Sequence, residues 1–194
     1  MKRGYLFTLV FMLIVAFAFA TVLAVANYLA QPSIAANQQA AKEDALLYAF
    51  DIPVVAGETT ESMIKKHVKE IETPELTYYE YVDDNGQIAA YAVPYAGSGL
   101  WGAIRGFLAV KPDLKTLQGI VFLEQNETPG LGGRIGELWF RDQFRGASIA
   151  QPVAYGDGID AVTGATASST AVITIINNAA ANQIKQLEAI VNGK

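Results

Sequence analysis

From Tyr5 to Ala30 the chain carries no charged residue, and most of that stretch is Leu, Val, Ile, Phe or Ala. A helix of roughly 20 such residues crosses the hydrocarbon core, because it satisfies every backbone polar group internally. Lys2 and Arg3 precede the run, and the first charge after it is Lys42. Positive charge concentrated on the amino-terminal side predicts a single-pass membrane anchor. The amino terminus would be cytoplasmic, and everything after about residue 30 outside. Ala16-Phe-Ala18 and Ala18-Phe-Ala20 resemble small-residue cleavage sites. The apolar run nevertheless outlasts the roughly 7 to 15 residues of a signal-peptide core, so a retained anchor is expected.

The expected organisation is an anchor over residues 1–30, a helical stalk or connector over 31–75, and one domain over 76–194. Gln38 to Phe50 reads as a helix with Ala45, Leu46 and Phe50 on one face. A second helix is expected from about Thr60 to Ile71, with Ile64, Val68 and Ile71 as its apolar stripe. Leu76 to Val82 and Gln87 to Tyr95 alternate around Asp83-Asp-Asn85-Gly86, a hairpin signal. Ala103 to Val110 and Leu117 to Glu124 read as two more strands, followed by a short helix at Glu137 to Phe144 and a strand near Ile149 to Tyr155. Ser168 to Val191 has helical periodicity. Strands in a run with helices at the ends predict an α+β domain built on an antiparallel sheet with flanking helices.

Several chemistries are excluded early. The chain has no cysteine, which removes thiolate catalysis and iron–sulfur ligation. Its one histidine, His67, stands among Lys65, Lys66 and Lys69 and reads as a solvated helix residue. No catalytic residue and no metal-ligand set is expected. Without Lys2 and Arg3 there remain 12 basic and 19 acidic side chains, a net charge of −7. Such a body repels phosphate backbones, so nucleic acid is not a partner.

Two segments carry chemistry. In Asp160-Ala-Val-Thr163-Gly164-Ala165-Thr166-Ala-Ser168-Ser169, small residues crowd the start of a predicted helix, where free amides and the positive dipole end suit a phosphate. Gly164 lets the backbone approach closely, and the hydroxyls are able to cap the helix or meet phosphate oxygens. The same residues also spell an ordinary turn and cap. They do not form a P-loop, which needs a lysine and a longer spacing. Upstream, Glu124-Gln-Asn-Glu127-Thr128-Pro129-Gly130-Leu131-Gly132-Gly133 ends a strand in a glycine-rich loop. It reads either as a wide turn or as bare backbone beside a flat aromatic ligand.

Asp160-x-x-Thr163-Gly164-Ala165-Thr166 resembles the flavinylation motif of FMN-binding domains in bacterial redox-driven ion pumps. Glu127-Thr128-Pro-Gly130-Leu131-Gly132 looks like the second signature of that domain. Gly99-Leu100-Trp101-Gly102 followed by Gly106-Phe107 is similar to the NqrC-type subunits of sodium-translocating NADH:quinone oxidoreductases, while the length is nearer that of the related RnfG-type subunits of Rnf complexes.

The resemblance implies FMN bonded through its phosphate to Thr166, supplied from FAD by a separate magnesium-dependent flavin transferase. It implies that the chain relays electrons between other membrane subunits of the pump. By the same resemblance Thr163, Gly164 and Ala165 shape the phosphate site. Asp160 is either a recognition element for the transferase or the end of a strand. The loop residues Glu127, Thr128, Gly130, Leu131 and Gly132 pack near the isoalloxazine with Leu100 and Trp101, although Trp101 also fits an ordinary core aromatic. No Gly-x-Gly-x-x-Gly follows a strand, so NADH oxidation is assigned to other subunits. A non-redox membrane-anchored binding domain is the remaining alternative.

Overall fold

The computed structural model describes residues 2–54, 57–156 and 158–193. The chain divides into two units, Met1–Ala40 and Ala41–Lys194. The described residues of the first all lie in helix α1 (Lys2–Phe50). Large apolar side chains from Tyr5 to Leu29 stand exposed along it, which water would penalise and a bilayer accommodates. Length and composition allow it to cross a membrane.

The second unit is a five-stranded antiparallel sheet with helices on both faces, ordered β1-β2-β3-β4-β5 as in the sequence. The strands are β1 (Val68–Glu72), β2 (Thr77–Val82), β3 (Ile88–Ser98), β4 (Ala103–Val110) and β5 (Leu117–Glu124). Side chains alternate across β3. Tyr91, Val93 and Tyr95 enter one core, and Ala90 and Ala92 the other. The alanine face, extended by Ala109 and Gly119, receives the last turns of α1 through Ala45, Leu46, Ala49 and Phe50. Small residues there let the helix backbone come close: a Cβ on Gly119 would meet the Ala49 carbonyl at 2.7 Å. Helix α2 (Thr60–His67) joins that layer through Met63, and Thr59 and Ser62 cap it reciprocally.

The opposite face carries the bulkier side chains and the helices α3 (Leu138–Asp142), α4 (Thr166–Ala179) and α5 (Lys185–Asn192). Along α4 the buried positions Val172, Ile175, Ile176 and Ala179 follow helical spacing, but the next buried residue is Ile184. A π-helical turn, Ala180–Ile184, absorbs that extra residue and returns Leu187 to the core.

Four sequence expectations need correction. The helix expected to Ile71 stops at His67; Val68 and Ile71 pair with Tyr81 and Tyr78 as edge strand β1. Their spacing fits a helix face, but the strand satisfies the backbone against β2 instead. No strand forms over 149–155; the nearest ladder contact among the described residues is a bridge between Thr116 and Ser148. His67 is not solvated: it lies edge-on to Tyr81, and its Nδ1 is 3.0 Å from the Val82 carbonyl. Finally, the compact unit begins at Ala41, so α2 and β1, expected in a connector, are parts of it.

Candidate functional site

Three segments meet around one cleft. The first is the tip of the β3–β4 hairpin. The Gly99 N–H donates to the Gly102 carbonyl at 2.7 Å, which leaves Leu100 and Trp101 as the two tip residues. Neither has positive φ. The tip therefore lacks the left-handed conformation that usually matches a two-residue turn to strand twist. Both tip N–H groups donate instead to Glu127 Oε1, at 2.8 Å from Leu100 and 3.1 Å from Trp101. The side chains point outward, with Leu100 57% and Trp101 70% exposed.

The second segment is the loop after β5. Glu127 is buried, and its own N–H donates to Gln125 Oε1 at 2.9 Å. The Thr128 carbonyl accepts from the N–H groups of Leu131 and Gly133, folding the loop back on itself. Gly132 lies so close to Glu127 and Ser168 that a Cβ would collide with both.

The third is the turn into α4. The Ala165 N–H donates to the Val162 carbonyl at 2.9 Å, and Gly164 has φ +78°. With Thr163 at negative φ, this is a type II turn whose third position takes glycine readily. Ser169, fully buried, accepts from the Val162 N–H at 3.0 Å and pins the turn to the helix. No side chain caps the first turn of α4, which leaves its leading amides without a side-chain acceptor beside exposed Thr166.

Between these segments lies a cleft of about 250 Å³, walled by Leu100 and Trp101, by Thr128, Leu131 and Gly132, and by residues 164–168. Among the described residues, no charged side chain lines it. The acidic excess sits elsewhere: residues 41–84 hold 11 acidic and 4 basic side chains, and residues 85–194 hold 8 of each.

The structure thus gathers Leu100, Trp101, Thr128, Leu131, Gly132, Gly164, Ala165 and Thr166 around one space. Glu127 stands behind the wall and holds it together. Gly130, Thr163 and Asp160 do not line the cleft. Asp160 has its backbone fixed by Gln143, whose Oε1 accepts from the Asp160 N–H at 2.8 Å, and its side chain is exposed. Trp101 is not a core aromatic. Ser168 and Ser169 read in the sequence as generic caps or phosphate contacts; both are buried, and Ser168 Oγ donates to Glu127 Oε2.

Residues 99–181 match the family model of the FMN-binding domain. The RnfG-type subunit of the ion-translocating oxidoreductase complex of Methanosarcina acetivorans is 31% identical over 147 residues, covering 75% of this chain and 74% of that protein. The chain belongs to this family of FMN-binding subunits. Another member, the NqrC subunit of the Na⁺-translocating NADH-quinone reductase of Neisseria meningitidis, is 39% identical over 98 residues. That alignment covers 47% of this chain and 38% of the Neisseria protein, so the chain spans well under half the length of that relative. The FMN-binding domain fold is shared with the crystal structure of NqrC from Shewanella oneidensis, with a TM-score of 0.65 at 23% identity over 76% of this chain and 98% of that one. The corresponding reductase subunit from Parabacteroides distasonis aligns with a TM-score of 0.59 at 25% identity, over 76% of this chain and 92% of its own.

Proposed function

We propose that this chain is the FMN-carrying electron-relay subunit of a Na⁺-translocating NADH:quinone oxidoreductase, with FMN held as a phosphoester by Thr166. The observation that carries the reading is the position of Thr166. It is the first residue of α4, exposed, beside uncapped backbone amides and facing an uncharged cleft with apolar walls. Those features fit the two halves of FMN. Helix-start amides and the dipole suit its phosphate, and Leu100, Trp101 and Leu131 offer apolar surface to its ring.

When bound, the flavin supplies reversible one- and two-electron chemistry. The chain's own residues have simpler tasks. Thr166 Oγ would be the attachment atom, its ester formed as the transferase cleaves FAD and releases AMP. The leading amides of α4 would take up phosphate charge, and the apolar walls would limit the access of water to the ring. A covalent bond keeps the cofactor on a domain outside the cytoplasm, where free FMN is not replenished. The neutral cleft half of the domain avoids the repulsion that the acidic half would impose on a phosphate.

The membrane-anchored chain would stand with Lys2 and Arg3 on the cytoplasmic side and the flavin domain outside, receiving and passing electrons between partner subunits. A second reading, the RnfG-type subunit of an Rnf complex, is favoured by the longer alignment with the Methanosarcina protein. Isolation of the complex from native membranes separates the two, since the associated subunits differ. Fluorescence of the denatured band on a gel tests the attachment in both: a fluorescent band supports covalent flavin, and a dark band after co-expression with the transferase overturns it.

A further inference from the structure

Glu127 has no place among the cleft-lining side chains, yet every wall of the cleft meets it. Its Oε1 accepts from both N–H groups of the hairpin tip, Leu100 at 2.8 Å and Trp101 at 3.1 Å. Its Oε2 accepts from Ser168 Oγ in the first turn of α4. Gly132 presses on this contact from its own loop, and Gly99 leaves just enough room for Oε1, since a Cβ at either glycine would collide with the carboxylate. Two exposed aromatic and aliphatic tip residues are thereby tied to the helix bearing Thr166 through one buried side chain, 4% exposed. A hairpin tip without positive φ has no intrinsic preference for this geometry. Amides at such a tip are ordinarily solvated and exchange freely.

We infer that Glu127 is a positioning residue that clasps the Leu100–Trp101 tip to the start of α4 and so sets where those side chains stand beside a group on Thr166. The inference rests on the flavin reading for its consequence, but the clasp itself is a property of the chain.

The test uses the full chain in detergent, first without flavin. Hydrogen–deuterium exchange is followed on peptides containing residues 99–102, with Asn126 and the helix α5 peptides as references. In the wild type the Leu100 and Trp101 amides should exchange at least about tenfold slower than unprotected loop amides. Glu127→Ala should abolish that protection while the α5 peptides keep theirs. Glu127→Gln should restore most of it, because its amide oxygen still accepts from both tip N–H groups and its NH₂ donates to Ser168 Oγ. In a Trp139→Phe background, Trp101 fluorescence anisotropy should fall in the Ala variant and recover in the Gln variant.

Free exchange of the tip amides in the wild type overturns the clasp, whether or not Glu127→Ala folds. So does unchanged protection in a folded Glu127→Ala. With flavin loaded, the visible circular dichroism of the flavin should differ from wild type in Glu127→Ala and return in Glu127→Gln. Absence of flavin from every variant, wild type included, with the exchange pattern intact would refute the flavin reading and leave the clasp standing.

Discussion

Arg145 closes the carboxyl end of α1 through Tyr48: its Nη2 donates to the Tyr48 carbonyl at 2.8 Å, and its guanidinium lies 4.6 Å from the Tyr48 ring centre. The same side chain donates through Nη1 to the Gln118 carbonyl at 2.8 Å, and Gln118 Nε2 donates to the Phe50 carbonyl. The Tyr48 carbonyl, already met by the Asp51 N–H at 3.1 Å, thus gains a second donor. Carbonyls at the end of the helix are served from β5 and from the segment after α3. Arg145→Ala should destabilise the domain by about 2–4 kcal/mol, read from chemical denaturation. Arg145→Lys should recover only part of this, because an ammonium lacks the planar fork. Equal stability of all three would show that the cap is idle.

Tyr48 also gives the stability a pH signature. Burial, reinforced by its hydrogen bond to Asp142 Oδ1 at 2.6 Å, pushes the phenol up from 10.0 to about 12. The Tyr48 bond, then Arg145, holds the Asp142 carboxyl below its ordinary 3.8. A raised phenol contributes fully below pH 10.0 and loses that contribution towards about 12. A lowered carboxyl contributes above pH 3.8 and loses its contribution as the pH falls below it. The pair's contribution to the thermal midpoint should therefore be constant between these limits and decline on both sides. Tyr48→Phe should shallow both declines, and identical profiles would refute the link.

Glycines at the cleft should separate into two kinds. A Cβ on Gly164 would meet only Leu131 Cδ2, at an ordinary 4.0 Å, but its φ is +78°. Gly164→Ala should therefore cost only about 1–2 kcal/mol. Gly132→Ala must displace Ser168 or Glu127, and should lower the melting temperature further and weaken flavin retention in the cleft. The reverse ranking would contradict the packing described around Glu127.

Asp160 presents an exposed side chain and a backbone held by Gln143. Asp160→Ala should leave stability within about 0.5 kcal/mol of wild type and lower FMN incorporation by the transferase. Unchanged incorporation would make it merely the residue that leads into the Thr163–Gly164 turn.

Periodicity exposes much of this fold. β4 and β5 fall on the expected residues because both runs are rich in strand-forming apolar residues, and Gly102 and Lys111-Pro112 mark the two ends of β4. The α2–β1 junction is misleading because Ile64, Val68 and Ile71 satisfy a helical spacing while the strand partners of Val68 and Ile71, Tyr81 and Tyr78, lie further along the chain. A local pattern does not contain its partner. The π turn at Ala180 shows in the sequence only as a five-residue step from Ala179 to Ile184 in an otherwise regular stripe.

At the site, the motif around Thr166 stands out as a run of small residues. The role of Glu127 does not: a charged residue in a glycine-rich loop looks solvated until the amides of Leu100 and Trp101, remote in sequence, are placed on it. Trp101 is ambiguous for a related reason, since nothing in its neighbours distinguishes a core aromatic from one held outward by its backbone.

The central claim is that Thr166 is the covalent flavin site, and intact mass of the full chain tests it most directly. Co-expressed with the flavin transferase, the wild type should be heavier than its sequence by one FMN less one water, with the amino-terminal helix retained. Thr166→Ala should show the unmodified mass and no fluorescence after denaturation. An unmodified wild type, or flavin that survives denaturation on Thr166→Ala, would contradict the account.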